Sequence, residues 1–160
     1  MHKNQHIWTL LRSVLDPEVP VLNVVDMGVV RDVLEKNGKT VVVITPTYSG
    51  CPAMDVISHN IKKVLHKNQI EAEVETVLSP PWTTDWLTDD ARLKLKEYGI
   101  APPKKTSPDK SSLLTADKVI PCPKCESENT TMVSAFGSTA CKAHYKCKDC
   151  LEPFDYFKCI

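Results

Sequence analysis

The sequence predicts an α+β protein: a small αββαβ(α) domain with a mixed sheet, followed by a C-terminal zinc ribbon. Three observations predict this class. An Asn-Gly pair lies between two β-branched runs, amphipathic helical patterns lie on either side of it, and six of the seven cysteines follow residue 121. A chain of 160 residues can form one ordinary domain or two small ones, and the uneven cysteine distribution favours two.

The N-terminal segment is expected to form a helix. Its apolar residues recur at helical spacing, and Pro17 prevents the helix from continuing. We therefore expect the helix to end near Leu15. The apolar stripe consists of Ile7, Leu10, Leu11, Val14 and Leu15.

A β-hairpin, a second helix and a third strand follow. Asn37-Gly38 separates the strands predicted at residues 27–36 and 39–47, and this dipeptide is the strongest short hairpin signal. Pro52 suits the first position of the next helix, and residues 70–78 alternate acidic and apolar side chains as a half-exposed strand does. The apolar stripe of the helix is Met54, Ile57, Ile61, Val64 and Leu65.

The first domain is expected to close with a third helix. Thr88 is a suitable N-cap for residues 89–98, and Gly99 suits the end of that helix. Residues 101–118 are rich in Pro, Lys and Ser and poor in apolar residues, which is typical of a linker. The predicted organisation is a domain at 1–100, a linker at 101–118 and a ribbon at 119–160.

Charge and hydropathy exclude several classes of function. The 20 Lys and Arg residues balance 20 Asp and Glu residues, so no excess positive charge favours nucleic acid or an anionic membrane. No segment approaches the roughly 18 apolar residues of a membrane span, and the N-terminus lacks a signal-peptide pattern. We expect a cytoplasmic protein that binds neither nucleic acid nor membrane.

Two CxxC pairs predict a metal site near the C-terminus. Cys122 with Cys125 and Cys147 with Cys150 are separated by 21 residues, which is close to the spacing of zinc sites. Two such turns can present four thiolates to one tetrahedral ion. A segment of about forty residues needs a staple of this kind to fold.

Other interpretations of these cysteines are open. The thiols can be reduced and unliganded, and iron at a rubredoxin-like centre also suits four sulfur ligands. Zinc is favoured because Glu126 and Leu151 stand where such iron sites often have glycine. Cys141, His144 and Cys159 lie close in sequence and are alternative ligands, although Cys141 can equally be a small buried residue.

Cys51 is a candidate functional thiol. It lies where a strand turns through a glycine into a helix, at the predicted cap position, and the helix dipole and unpaired N-H groups there favour the thiolate. The alternative is a small half-buried cap residue without chemistry. His59 and His66, on the polar side of that helix, are expected to form a solvated face.

Asp16 and Glu18 are candidate functional carboxylates. If the first helix packs on the sheet, both lie at the same end of the domain as Cys51, and oxygen together with sulfur suits transiently held iron or zinc. The plainer interpretation is a proline turn with solvated acids.

Several motifs carry a family resemblance. They are DPEVPVLNVVDMG, TPTYSGCPAM, SPPWTTDW, CPKC, FGSTACKAHYKCKDC and EPFDYFKCI, and they span nearly the whole chain. With them the sequence resembles the PaaD family of bacterial phenylacetate-degradation proteins. The first hundred residues also resemble small iron-sulfur assembly proteins, which share the DPE turn and the glycine-cysteine-proline loop. The matching positions are Asp16, Glu18, Gly50, Cys51 and Pro52, with the four CxxC cysteines.

The resemblance implies a role beside a phenylacetyl-CoA epoxidase, a di-iron oxygenase supplied by a reductase with a [2Fe-2S] centre and flavin. The oxygenase and reductase subunits are then the expected partners, and maturation of that complex is the implied role. Zinc is the expected ribbon metal, and iron or an iron-sulfur cluster is the implied transient cargo at Cys51. Because the sequence has no E-x-x-H pairs and no glycine-rich dinucleotide loop, we do not expect the oxygenase or a flavin reductase.

Two other functions are alternatives. The chain can be a structural or electron-relay component of the epoxidase, and a relay requires iron in the ribbon. A nucleic-acid-binding zinc ribbon is the weaker alternative, because residues 101–160 carry nine lysines against seven acidic residues and no basic-aromatic stripe.

Overall fold

The computed structural model describes residues 2–104 and 119–158. Contacts between residues divide the chain into two compact units, which both combine helix and strand, in agreement with the predicted α+β class. The first comprises the residues up to Trp82 together with Trp86–Thr88, and the second comprises Thr83–Asp85 and the described residues from Asp89 onward. None of the described helices is long and apolar enough to cross a membrane.

The first unit contains a three-stranded sheet and two helices. Strands β1 (Val30–Lys36) and β2 (Lys39–Ile44) are antiparallel, whereas β3 (Ala72–Thr76) runs parallel to β2. Helix α1 (His2–Leu11) precedes β1, and helix α2 (Ala53–Lys67) connects β2 with β3. The order β1-β2-β3 with mixed directions confirms the αββαβ domain and its mixed sheet.

The hairpin turn forms where the Asn-Gly pair predicts it. Asn37 and Gly38 have φ angles of 52° and 75°. A two-residue turn with both angles positive matches the right-handed twist of the flanking strands, and asparagine and glycine tolerate such angles best. The turn therefore fixes the register in which Lys36 faces Lys39.

Helix α1 ends earlier than predicted, at Leu11 instead of Leu15. The hydroxyl of Ser13 donates to a carbonyl of the last helical turn at 2.6 Å, which gives that carbonyl a partner outside the helical ladder. Leu15 forms an isolated β-bridge with Asn23 and is 51% exposed. The apolar pattern extends beyond the helix because Val14 is buried in the loop that follows it.

Apolar burial forms the core of the first unit. The stripe of α2 is mostly buried: Ile57, Ile61 and Leu65 are at most 1% exposed, while Met54 and Val64 are half-buried. This helix therefore packs through the face that its sequence predicts. Other fully buried side chains are Ile7 and Leu11 of α1, Leu22 and Val24 of the α1–β1 loop, and Ile44 of β2.

The second unit contains one helix and a four-stranded sheet. Helix α3 (Asp89–Tyr98) is followed by Gly99, whose φ of 90° suits the glycine predicted at the end of this helix. The sheet order is β4-β7-β6-β5; β4 pairs in parallel with β7, and the other neighbours are antiparallel. These strands are β4 (Ile100–Ala101), β5 (Thr130–Ser134), β6 (Lys142–Cys147) and β7 (Pro153–Phe157).

The predicted domain boundary differs from the boundary between the two units. The sequence predicts α3 in the first domain and a linker from residue 101, whereas α3 belongs to the second unit and Ala101 is a buried strand residue. A strand of two residues is too short to give a periodic pattern in the sequence. Residues 105–118 of the predicted linker lie outside the described residues, so the linker there stays a prediction.

Two glycines with nearly equal backbone angles test the packing around Trp86. Gly28 and Gly38 have φ angles of 74° and 75°, but a Cβ added at Gly28 lies 2.7 Å from the Cβ of Trp86, whereas one at Gly38 meets nothing within 4 Å. We expect Gly38→Ala to lower the free energy of unfolding by about 1 to 2 kcal/mol because of its backbone angle. Gly28→Ala should lower it by about 1 to 3 kcal/mol more.

Tryptophan fluorescence during chemical denaturation of the full chain measures both losses, since all three tryptophans belong to the first unit. Equal losses for the two variants would contradict the close approach of Gly28 to Trp86.

Candidate functional site

Four cysteine sulfurs of the second unit lie together. Cys122 and Cys125 come from one turn, Cys147 and Cys150 come from another, and all four sulfur atoms lie within 4.8 Å of one another. The sulfurs of Cys122 and Cys150 are 3.7 Å apart, and those of Cys125 and Cys147 are 3.6 Å apart. The structure therefore brings together the four residues of the two CxxC pairs.

The spacing of these sulfurs fits a tetrahedral metal ion. Metal-sulfur bonds of about 2.3 Å at tetrahedral angles separate two sulfurs by about 3.8 Å, which is close to both distances. A disulfide bond requires about 2.05 Å, so neither of these two sulfur pairs forms one. Iron with four sulfur ligands has a similar geometry, and the distances alone do not separate zinc from iron.

Each CxxC turn is followed by a residue with a left-handed backbone. Glu126 and Leu151 both have a φ of 63°, so the backbone keeps a glycine-like conformation although neither residue is glycine. The backbone N-H groups of Cys150 and Asp149, together with hydrogen bonds from the Cys125 and Cys150 thiols, lower the pKa of Cys147 to about 7. The pKa of Cys125 and of Cys150 is raised instead: each sulfur also accepts a backbone N-H, but burial and hydrogen bonds with neighbouring cysteine sulfurs outweigh this contact. The hydrogen bonds therefore favour at Cys147 the thiolate form that metal binding requires.

The alternative ligands have other contacts. Cys141 is 1% exposed, and its sulfur lies 3.1 Å from the hydroxyl oxygen of Thr139. The Nδ1 atom of His144 lies 3.3 Å from Oδ1 of Asp155 on the neighbouring strand. Neither residue belongs to the cluster of four, and Cys159 lies outside the described residues.

Cys51 lies in the loop between β2 and α2 and is 9% exposed. Helix α2 begins at Ala53 with Pro52 as its N-cap, so Cys51 precedes by one residue the cap position predicted for it. Gly50, with a φ of 75°, lets the chain turn at this point. The backbone N-H of Ala53 donates a hydrogen bond to the Cys51 sulfur.

Burial raises the pKa of the Cys51 thiol above its ordinary value. The N-H of Ala53 and the hydroxyl of Tyr48 lower this pKa by donating to the sulfur, whereas the charges of Glu18 and Asp16 raise it further. The helix start lowers the pKa through the Ala53 N-H, as predicted, but the net shift of the pKa is upward. Loss of solvation outweighs the hydrogen bonds that the helix start provides.

The structure brings Asp16 and Glu18 close to Cys51, in different environments. Asp16 is 4% exposed, and its Oδ1 accepts hydrogen bonds from the backbone N-H groups of Glu18 and Val19, each at 2.8 Å. Glu18 is half-buried, and its Oε1 lies 3.4 Å from the hydroxyl oxygen of Tyr48. Asp16 thus fixes the loop instead of being a solvated acid, while Glu18 and Cys51 share the Tyr48 hydroxyl.

A second buried carboxylate supports the same loop. Asp26 is 5% exposed, forms an ion pair with Arg12 and accepts a hydrogen bond from the side-chain amide of Asn23 at 2.7 Å. Asn23 in turn accepts the backbone N-H groups of Val25 and Asp26 through its Oδ1. The loop from α1 to β1 is therefore held by paired and hydrogen-bonded charges.

Sequence reasoning missed Tyr48 as a member of this group. Its hydroxyl contacts both Cys51 and Glu18. The available signal was its position three residues before Cys51, in a loop already singled out as a motif. We refer to Cys51, Tyr48, Glu18 and Asp16 as the Cys51 group.

Comparisons with known proteins relate these two sites to families. The family model described as "Iron-sulfur cluster assembly protein" matches residues 4–79, and "PaaD zinc beta ribbon domain" matches residues 106–158. The chain is 48% identical over 155 residues to an Escherichia coli (strain K12) protein named as a subunit of "Putative 1,2-phenylacetyl-CoA epoxidase", covering 96% of this chain and 92% of that protein. The chain belongs to the PaaD family. Its second unit contains the PaaD zinc ribbon, with a four-cysteine metal-binding cluster.

The N-terminal part of this PaaD-family chain has further relatives. It is 35% identical over 94 residues to "Fe-S protein maturation auxiliary factor YitW" of Bacillus subtilis (strain 168), covering 57% of this chain and 91% of that protein. The crystal structure of "Domain of Unknown Function DUF59 from Bacillus anthracis" is 33% identical with a TM-score of 0.54, covering 57% of this chain and 90% of that one. The N-terminal fold is therefore DUF59-like.

Metal content tests the ligand set of the PaaD ribbon. We expect about one zinc ion per purified chain, and its loss in Cys147→Ser because one of four thiolates is removed. Cys141→Ser removes another buried thiol of the same unit and should retain the metal. Elemental analysis of the full-length variants measures both. Full metal in Cys147→Ser, or its loss from Cys141→Ser, would show that the ligands are misassigned.

Thiol alkylation tests the environment of Cys51. Iodoacetamide reacts with the thiolate, so the midpoint of its rate against pH should lie above that of an unfolded peptide with the same sequence. Glu18→Gln should lower the midpoint because it removes a negative charge, and Tyr48→Phe should raise it because it removes a donor.

Mass spectrometry of the peptide that contains Cys51 follows the reaction separately from the other cysteines. Glu35→Gln, an exposed change on β1, is the matched control and should leave the midpoint unchanged. A higher midpoint in Glu18→Gln, or a lower one in Tyr48→Phe, would contradict this description of the Cys51 group.

Proposed function

We propose that this PaaD-family chain assists the installation of iron or iron-sulfur cofactors in the subunits of a phenylacetyl-CoA epoxidase. The observation that carries the proposal is the Cys51 group, in a unit related to iron-sulfur maturation factors. The PaaD ribbon on the same chain supports the epoxidase as the client. Its oxygenase and reductase subunits are the proposed partners.

The donors of the Cys51 group suit iron as a cargo. A cysteine sulfur is a soft ligand and a carboxylate oxygen is a hard one, and iron accepts both. Glu18 is the carboxylate that we propose as a ligand, because Oδ1 of Asp16 already accepts two backbone N-H groups. Cys51 and Glu18 supply two strong donors, whereas the ribbon supplies four. Iron bound at the Cys51 group therefore keeps open coordination positions that a receiving protein can fill.

The role that we propose for the ribbon is structural, and the metal that we propose for it is zinc. Four thiolates give a closed coordination shell without a position for substrate. Two of the ligands, Cys122 and Cys147, are members of the small buried core of the unit. The remaining members of this core are Ala101, Ile120, Ala143, Tyr145, Phe154 and Tyr156. Metal binding and folding of the ribbon are therefore coupled.

An electron-relay component of the epoxidase is the second candidate. The sulfur separations of 3.6 and 3.7 Å suit iron as well as zinc. Iron at this site would be redox-active and would colour the protein, whereas a zinc-loaded ribbon is colourless and carries no electrons. Elemental analysis of the purified chain distinguishes the two functions.

The maturation proposal is tested by removing the Cys51 thiol in cells that grow on phenylacetate. Cys51→Ala should fold, with a loss of unfolding free energy of about 1 to 2 kcal/mol for a small buried side chain. Growth should fail, and the epoxidase subunits purified from these cells should be deficient in iron. Elemental analysis and the absorbance of the [2Fe-2S] reductase measure the deficiency.

Cys141→Ala is the matched control, because it removes a buried thiol that is not part of the Cys51 group. Cells with this variant should grow and should contain fully metallated subunits. If Cys51→Ala cells also contain fully metallated subunits, Cys51 has no part in maturation and the proposal fails.

A further inference from the structure

Helix α2 presents a set of basic side chains to solvent. His59, Lys62, Lys63, His66 and Lys67 are all exposed, and they follow the spacing of one side of a helix. We call these five residues the basic face of α2. They line a surface cavity of about 670 Å³.

The positive charge of this face is not compensated locally. Within the described part of the chain, Lys62, Lys63 and Lys67 form no ion pair. Glu73 lines the same cavity but is already paired with Lys39 at 3.1 Å. Glu71 is the other acidic residue of the lining. Three lysines therefore project into solvent in a chain whose net charge is zero.

Helix stability explains only part of this pattern. Cations in the last turn interact favourably with the helix dipole, which accounts for His66 and Lys67. The effect fades within one turn and does not extend to His59 or Lys62. Like charges four residues apart, as at Lys63 and Lys67, weaken a helix. Helix stability therefore does not account for the charges at Lys62 and Lys63.

We propose that the basic face of α2 docks an acidic segment of a partner protein. The face extends from residue 59 to residue 67, about 12 Å along the helix axis, which matches carboxylates on about two turns of a helix or four residues of extended chain. Opposite charges at such a surface steer the encounter and fix its register. The docking surface is independent of the chemistry proposed for Cys51.

A protein segment fits this face better than a nucleic acid does. No Phe, Tyr or Trp side chain lines the cavity, so bases lack the large stacking surfaces that these residues provide. Glu71 and Glu73 also line the cavity and repel a phosphate backbone, whereas a protein segment can place a basic residue opposite them. The balanced charge of the whole chain also disfavours nucleic acid.

Fluorescence anisotropy with a labelled peptide tests the proposal. The probe is a peptide of about twelve residues, alternating Glu and Ala, and its Gln counterpart is the uncharged control; both are titrated with the full chain at about 50 mM salt. The triple variant Lys62→Gln, Lys63→Gln, Lys67→Gln should weaken binding of the Glu peptide about tenfold. Amide NMR shifts caused by the peptide should fall on residues 59–67.

A second triple variant controls for net charge. Lys36→Gln, Lys96→Gln and Lys104→Gln remove three exposed lysines outside the basic face and should change the affinity by less than about twofold. Equal weakening by both triple variants, or equal binding of the Glu and Gln peptides, would overturn the proposal. Tighter binding of a single-stranded oligouridylate of about twelve nucleotides would replace the protein partner with nucleic acid.

Discussion

The buried carboxylate of Asp16 is the constraint on which the Cys51 group depends. A charge that is 4% exposed is tolerated only when hydrogen bonds replace its water, and Asp16 obtains them from the backbone N-H groups of Glu18 and Val19. These two bonds fix the direction of the chain after Pro17. Glu18 is thereby held beside the Tyr48 hydroxyl, close enough for its charge to raise the pKa of Cys51. The turn at residues 16–18, which the sequence alone suggests is solvated, thus positions the groups around a buried thiol.

The two units are stabilised by different means. The first unit buries long aliphatic side chains of α1, α2 and the sheet, such as Leu11, Ile61 and Ile44. Its folding therefore does not depend on a metal bound by Cys51. The second unit has a small core that includes two of its own metal ligands. In our proposal the four thiolates serve the folding of the ribbon, and a transient metal is bound at Cys51 instead.

Much of this architecture could be predicted from local patterns. The Asn37-Gly38 turn, the apolar stripe of α2 and the paired CxxC turns each depend on residues close in sequence, and the structure contains all three. The end of α1 and the short strand β4 could not be predicted, because a bridge to Asn23 and pairing with β7 determine them. Both contacts form only in the folded unit and leave no periodic signal in the sequence.

The electrostatics of the site were the least predictable property. The local pattern at Cys51 suggests a thiolate at a helix start, whereas burial raises its pKa, and burial is a property of the assembled unit. In the ribbon, the sequence favours zinc over iron because no glycine follows either CxxC pair. Glu126 and Leu151 nevertheless adopt the left-handed backbone that the turn requires.

Timing is the property that most directly separates maturation from catalysis. A maturation factor is needed while cofactors are installed, but a component of the epoxidase is needed in every turnover. The decisive measurement is the rate of phenylacetyl-CoA epoxidation by fully metallated oxygenase and reductase subunits, with this chain absent and then added in stoichiometric amount. Our account predicts the same rate in both cases. Subunits that stay inactive until the chain is added would contradict it and would make the chain a working component of the enzyme.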